Sequence, residues 1–159
     1  MMHIRPTTKA DLAAVDALLA RTYPKLLKAD YPPSVLVTAL PIISRAQPAL
    51  LSCGTYYVVE EGDAILGAGG WTLDRKDSTL GHIRHVVTDD RALRRGVGRT
   101  LMRHCFDEAR MMGIVRMECW ATRTAEPFYQ AIGFETLEPM EVTLQNGISF
   151  PSIRMNCEL

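Results

Sequence analysis

Residues 91–102, "RALRRGVGRTLM", set two glycines among four arginines at the point where an amphipathic helix begins. A surface helix has no need of glycines in its first turn, and like charges crowded there repel. Helix N-termini, however, leave backbone N–H groups unpaired and carry partial positive charge, so they receive phosphates readily. Gly96 and Gly98 let a ligand approach the backbone, and Arg94, Arg95 and Arg99 add charge and directional donors. The spacing predicts a helix from about Val97 to Met112, with Val97, Leu101, Cys105, Ala109 and Met112 on one face and Gly113 as its stop. A Walker loop needs Lys and Ser/Thr after its last glycine, and Arg99-Thr100 stands there behind the wrong glycine spacing. A dinucleotide fingerprint needs a third glycine where Leu101 stands. Neither reading survives.

On either side of this stretch, the chain divides into short elements without repeats or linkers. "HIRPT" alternates like a first strand, and Thr8 opens "TKAD", a cap followed by an acid, with Leu12, Val15, Leu18 and Leu19 on one face. That helix is predicted to end near Tyr23-Pro24. Pro33, Pro41 and Pro48 break or bend the following stretch into one or two short helices. Residues 54–73 read as a hairpin about Glu61-Gly62-Asp63, and "TLGHIRHVVT" as the next strand. After the phosphate-site helix come the strand "IVRMECWAT" and a short helix capped by Thr124. Two closing strands turn at Asn146-Gly147. The order β-α-α-β-β-β-α-β-α-β-β describes an α+β, or mixed α/β, fold about a central sheet.

Bulk properties narrow the function. The 159 residues fit one domain, 1–159, with one core. Eighteen basic residues balance eighteen acidic ones, so no global field recruits nucleic acid or an anionic membrane. The four cysteines, Cys53, Cys105, Cys119 and Cys157, lack metal-ligand spacing and read as free thiols. No metal site is expected. "MMHIRPTT" lacks the apolar run of a signal peptide, and no segment is long enough to span a bilayer, so a cytoplasmic location is expected.

Two motifs together resemble the GNAT family of acetyl-CoA-dependent N-acetyltransferases. The family's (Q/R)-x-x-G-x-(G/A) window reads Leu93-Arg94-Arg95-Gly96-Val97-Gly98 here. About thirty residues on, "AEPFYQAIGF" (Ala125 to Phe134) is similar to its A-x-x-F-Y-x-x-x-G-F. Leu93 replaces the usual Gln or Arg, Asp90 a common proline, and Thr122 an Asn frequent on the strand-to-helix turn.

The resemblance implies a mostly antiparallel sheet of about seven strands, splayed between the fourth and fifth, with about four helices. It implies acetyl transfer from acetyl-CoA to an amine in a ternary complex. The backbone of Val86, Val87 and Thr88 would pair with the pantetheine arm, and the pyrophosphate would rest on Arg94 to Thr100, with Thr122 nearby. Tyr129 matches the tyrosine that protonates the departing thiolate; of the adjacent rings, Phe128 is given to the core and Tyr129 to the site.

For the general base, His82 stands first, fourteen residues before Gly96, then Glu118 and His85. Strand parity has His85 facing away from His82, and Arg84 facing the same way as His82, toward a carboxylate or phosphate on the acceptor. Tyr23, Tyr31, Trp71 and Phe150 are further acceptor-side candidates. The acceptor is left open: a small amine, an amino acid, an aminoglycoside or a peptide N-terminus. The resemblance also allows a homodimer. A different class, an acyl-CoA-binding sensor with little chemistry, stays open on account of Leu93 and Thr122.

Overall fold

Alternation along residues 56–61 sets the layers: Tyr57 and Val59 bury on one side of the sheet, Tyr56 and Val58 on the other. The computed structural model describes residues 1–159 throughout. Its seven strands are β1 (His3–Pro6), β2 (Tyr56–Glu61), β3 (Ala64–Leu73), β4 (Leu80–Thr88), β5 (Arg116–Ala121), β6 (Glu135–Thr143) and β7 (Ser149–Glu158). They form one sheet in the order β1-β2-β3-β4-β5-β7-β6, antiparallel everywhere except between β4 and β5. Five helices flank it: α1 (Leu12–Leu27), α2 (Pro33–Ile43), α3 (Pro48–Leu51), α4 (Val97–Met111) and α5 (Glu126–Ala131). This is the expected α+β order, with the one-turn α3 added. No helix is long and apolar enough to cross a membrane.

Helices α1 and α2 bury Val15, Leu18, Leu19, Leu36 and Ala39 against Tyr56, Val58, Ala68 and Val87. On the opposite face, α4 sets Val97, Leu101, Met102, Cys105 and Ala109 against Tyr57, Trp71, Met117 and Cys119. Each fully buried large side chain contributes about 1.5–3 kcal/mol, so the two faces together fix the sheet between helical layers.

Three local expectations are corrected. Helix α1 passes through Pro24 to Leu27, because Tyr23 and Leu27 bury on its inner face and their burial offsets the helical bond that Pro24 cannot donate. The next stretch does divide into two short helices as expected: Pro33 and Pro48 open α2 and α3, where a missing N–H costs nothing, and Pro41 lies inside α2. At the end of α4, Met112 is 61% exposed and lies off the inner face, whereas Met102 in the second turn is buried there; Gly113, with φ +85°, does stop the helix. Thr124 does not cap α5: Ala125 N–H donates to Thr122 Oγ1 at 3.1 Å, while the Thr124 hydroxyl donates to Asp30.

Candidate active site

The start of α4 is built from backbone. Gly96 caps the helix at φ +77° with no heavy atom waiting within 4 Å of a Cβ, and Arg94 also has positive φ, 67°. The first amide of the helix to find a partner is Thr100, which donates to the Gly96 carbonyl at 2.9 Å. The amides of Arg94 to Arg99 find no acceptor in the protein, and no side chain caps this end. Such a concave run of free N–H groups at a positive dipole end is an anion cradle.

Gly98 also has a packing reason to lack a side chain. A Cβ there would meet the Phe128 ring at 2.9 Å and Thr88 Oγ1 at 3.3 Å, so its bareness seats α4 on α5 and the end of β4. Phe128 is therefore the ring at the helix start, only half-buried, and Tyr129 is the one taken into the core, the reverse of the burial expected of the two rings. Of the four arginines, Arg91 pairs with Asp89 at 3.1 Å and Arg95 with Glu61 at 2.6 Å. Arg94 and Arg99 are exposed and unpaired, beside Val97, which is buried, and Thr100, which is half-buried.

From that cradle β4 runs back along an open seam. β4 and β5 are in register only at Leu80↔Arg116, Gly81↔Met117 and His82↔Glu118. Beyond His82 the strands part, which leaves Val86, Val87 and Thr88 without a strand on their β5 side. β4 also bulges: Ala68 pairs with Val87 and Gly70 with Arg84, so Gly69 alone faces both His85 and Val86. The extra residue flips the alternation, and His85, at φ +49°, projects onto the same face as Arg84 rather than away. There it lies under α2, with Nε2 2.8 Å from the Ile43 carbonyl. Burial lowers its pKa, so it sits neutral and donates that bond. The Tyr56 and Tyr23 hydroxyls donate to the carbonyls of His85 and Val86 at 2.8 and 3.2 Å, holding the bulge from α1 and β2.

Where the strands part, a cleft of about 530 Å³ opens on the α1–α2 side, lined by Thr72, Asp74, Arg75, Lys76, His82, Arg84 and Trp120 among others. His82 Nε2 is 2.7 Å from Asp74 Oδ1, and its Nδ1 is 3.4 Å from Glu118 Oε2. The bond from His82, with the N–H groups of Lys76 and Asp77, holds the Asp74 carboxyl down to about 2. Arg154 Nε donates to Glu118 at 2.5 Å and its Nη1 to Glu138 at 3.3 Å. Asp74 and Arg154 were absent from the sequence reading. Asp74 sits in a polar turn that looks like any other, and Arg154 reaches Glu118 only through the β5–β7 pairing.

On the other side of the seam, Tyr129 is 5% exposed, its hydroxyl beside the Cys119 thiol. Burial raises the pKa of both, Cys119 to about 12. Three acceptor-side candidates are not brought to the cleft. Trp71 is 1% exposed and faces α4, because its strand neighbour Thr72 takes the cleft side. Tyr31 stacks on Phe150 at 4.7 Å, and its hydroxyl donates to the Pro151 carbonyl at 2.7 Å while accepting the Arg123 N–H at 2.8 Å. Both rings belong to the α1–α2 core, which gives them no free surface.

Comparison with known proteins agrees with the fold. The acetyltransferase (GNAT) domain model matches residues 42–159. The uncharacterized N-acetyltransferase YsnE of Bacillus subtilis (strain 168) is 31% identical over 90 residues, 54% of this chain and 58% of that protein. The match thus spans little more than half the length of this curated relative. A GCN5-related N-acetyltransferase structure from Rhodopseudomonas palustris superposes with a TM-score of 0.78 at 19% identity, covering 99% of this chain and 95% of that one. The PaiA N-acetyltransferase of Thermoplasma acidophilum, solved in complex with coenzyme A, gives 0.76 at 11% identity over 100% and 99% of the two chains. With a family match over nearly three quarters of its length, the chain belongs to the GNAT acetyltransferase family.

Proposed function

We propose that this chain is an N-acetyltransferase that moves the acetyl group of acetyl-CoA onto a primary amine of a small molecule or peptide, by direct attack in a ternary complex. The observation that carries the reading is the row of unpaired amides from Arg94 to Arg99 at the start of α4, flanked by two unpaired arginines. A diphosphate fits that cradle by charge and by donor number. From Thr88 to His82 the open edge of β4 runs roughly 20 Å at about 3.3 Å per residue, room for an extended arm paired to Val86, Val87 and Thr88 as an added strand. Residues 1–41, outside the family match, act with the rest as one unit, since β1 pairs with β2 and Tyr23 of α1 bonds Val86.

Bound acetyl-CoA supplies the thioester whose carbonyl the amine attacks. His82 takes the proton from the amine. Asp74 accepts Nε2–H and so fixes the tautomer, leaving Nδ1 open toward Glu118. Tyr129, kept protonated by burial, holds a proton on the opposite side of the seam for the departing thiolate. Tyr23 keeps the Val86 carbonyl engaged, so the bulge stays in place while an N–H of the same stretch polarises the thioester oxygen.

The test is thiol release from acetyl-CoA, screened across amines. Amine-dependent release at saturating acetyl-CoA supports the enzyme. Tight coenzyme A binding with no amine-dependent release would overturn it in favour of an acyl-CoA sensor.

A further inference from the structure

Four arginines of this chain are partly buried rather than exposed: Arg5, Arg21, Arg84 and Arg154. Three of them are paired, Arg5 with Asp11 and Glu60, Arg21 with Asp89, and Arg154 with Glu118 and Glu138. Arg84 has no carboxylate. Its Nε donates to Thr72 Oγ1 at 2.9 Å, which orients the guanidinium, and its two terminal nitrogens make no hydrogen bond. A half-buried cation without a counter-ion is held at a cost, and burial accordingly lowers its pKa, with Arg75 adding to the shift.

The other charges of the cleft do not relieve it. Asp74 is engaged by His82 and two backbone N–H groups, and Glu118 by Arg154 and His82. The free charge there is therefore positive: Arg84, with Arg75 and Lys76 at the rim. Arg84 and His82 leave β4 on the same face two residues apart, about 6.6 Å along the strand. A ligand that satisfies both has an anion and an amine close together.

On the acetyltransferase reading above, we propose that the acceptor is an amine with a carboxylate one or two carbons away, an amino acid rather than an aminoglycoside or a peptide N-terminus, and that Arg84 receives the carboxylate. The planar fork of the guanidinium suits two-point binding of a carboxylate, and the cleft has the volume of a small-molecule site. Thr72 is then a positioning residue that aims the fork.

The experiment compares three forms of each acceptor: the free L-amino acid, its primary amide and the decarboxylated amine, with coenzyme A release as readout. The expected result is a kcat/KM for the acid at least about tenfold above that of the amide, although the amide's amine is less basic and more often neutral. Arg84→Met should bring the ratio toward one, and Arg84→Lys should restore part of it; unchanged coenzyme A affinity shows that both variants fold. Equal use of acid and amide, a preference for a phosphorylated amine, or a ratio that survives Arg84→Met overturns this inference and leaves the transferase standing. Absence of thiol release with all three forms, where other amines do release it, also overturns this inference; absence of release with every amine of the wider screen overturns the transferase reading itself, and this inference falls with it.

Discussion

The two ends of β4 make their sites by opposite means. At its C-terminal end, beside α4, the candidate contacts are main-chain amides of Arg94 to Arg99, shaped by Gly96 and seated by Gly98. Near its N-terminal end the contacts are side chains, His82 and Arg84, held by partners from β3, β5, β7 and the Asp74 turn. A backbone cradle tolerates changes of side chain and depends on conformation. A side-chain cluster tolerates small backbone shifts and depends on chemical identity.

That contrast orders the expected effects of mutation. The largest belongs to the seam between the two ends: Tyr129→Phe should lower kcat by about 100-fold or more, with coenzyme A affinity within a factor of two or so. Steady-state kinetics beside a binding titration checks it, and unchanged turnover at saturating substrate removes the proton-donor role. His82→Ala should likewise lower kcat by about 100-fold. Unchanged turnover in that variant would move the base to Glu118.

Conformation should matter at the other end. Gly98→Ala should cost about 1–3 kcal/mol of stability and weaken coenzyme A, because Phe128 and Thr88 must move. Gly96→Ala should cost about 1–2 kcal/mol through its left-handed φ alone, with no steric clash. Thermal denaturation beside a coenzyme A titration checks both, and full retention of coenzyme A affinity in both variants would contradict the dependence of the cradle on its conformation.

Smaller still, Arg94→Ala or Arg99→Ala should weaken coenzyme A roughly fivefold, less at high salt, while Arg95→Ala should do less because Glu61 already holds it. The smallest effect is on acid stability. Burial alone would raise the Asp89 carboxyl, but Arg91 and Arg21 hold it down to about 2. Its contribution is therefore complete above the ordinary carboxylate range and drains as pH falls toward 2. Asp89→Asn should flatten the fall in melting temperature between pH 5 and 2.5.

The same contrast explains what the sequence made legible. The cradle announced itself because glycine and arginine at fixed offsets constrain a helix start locally, and the helix, its stop and the succession of strands and helices along the chain followed from periodicity and turn residues. His85 was misplaced because a bulge adds one residue and reverses parity, and nothing in "GHIRHVVT" marks the insertion. Pro24 was read as a stop because local stereochemistry was weighed without the burial of Tyr23 and Leu27 that overrides it. Asp74 and Arg154 stayed invisible because their partners are set by strand register, a property of the assembled sheet. Trp71, Tyr31 and Phe150 looked available as aromatics near a loop or a closing strand, and each is consumed by packing.

The most direct measurement is backbone amide NMR of the α4 start during titration with coenzyme A, followed by a structure of the complex. The expected result is saturable shifts concentrated on the amides of Arg94 to Arg99, with pyrophosphate oxygens within hydrogen-bond distance of several of them. Coenzyme A bound with those amides unmoved, or seated on another surface, would contradict the account.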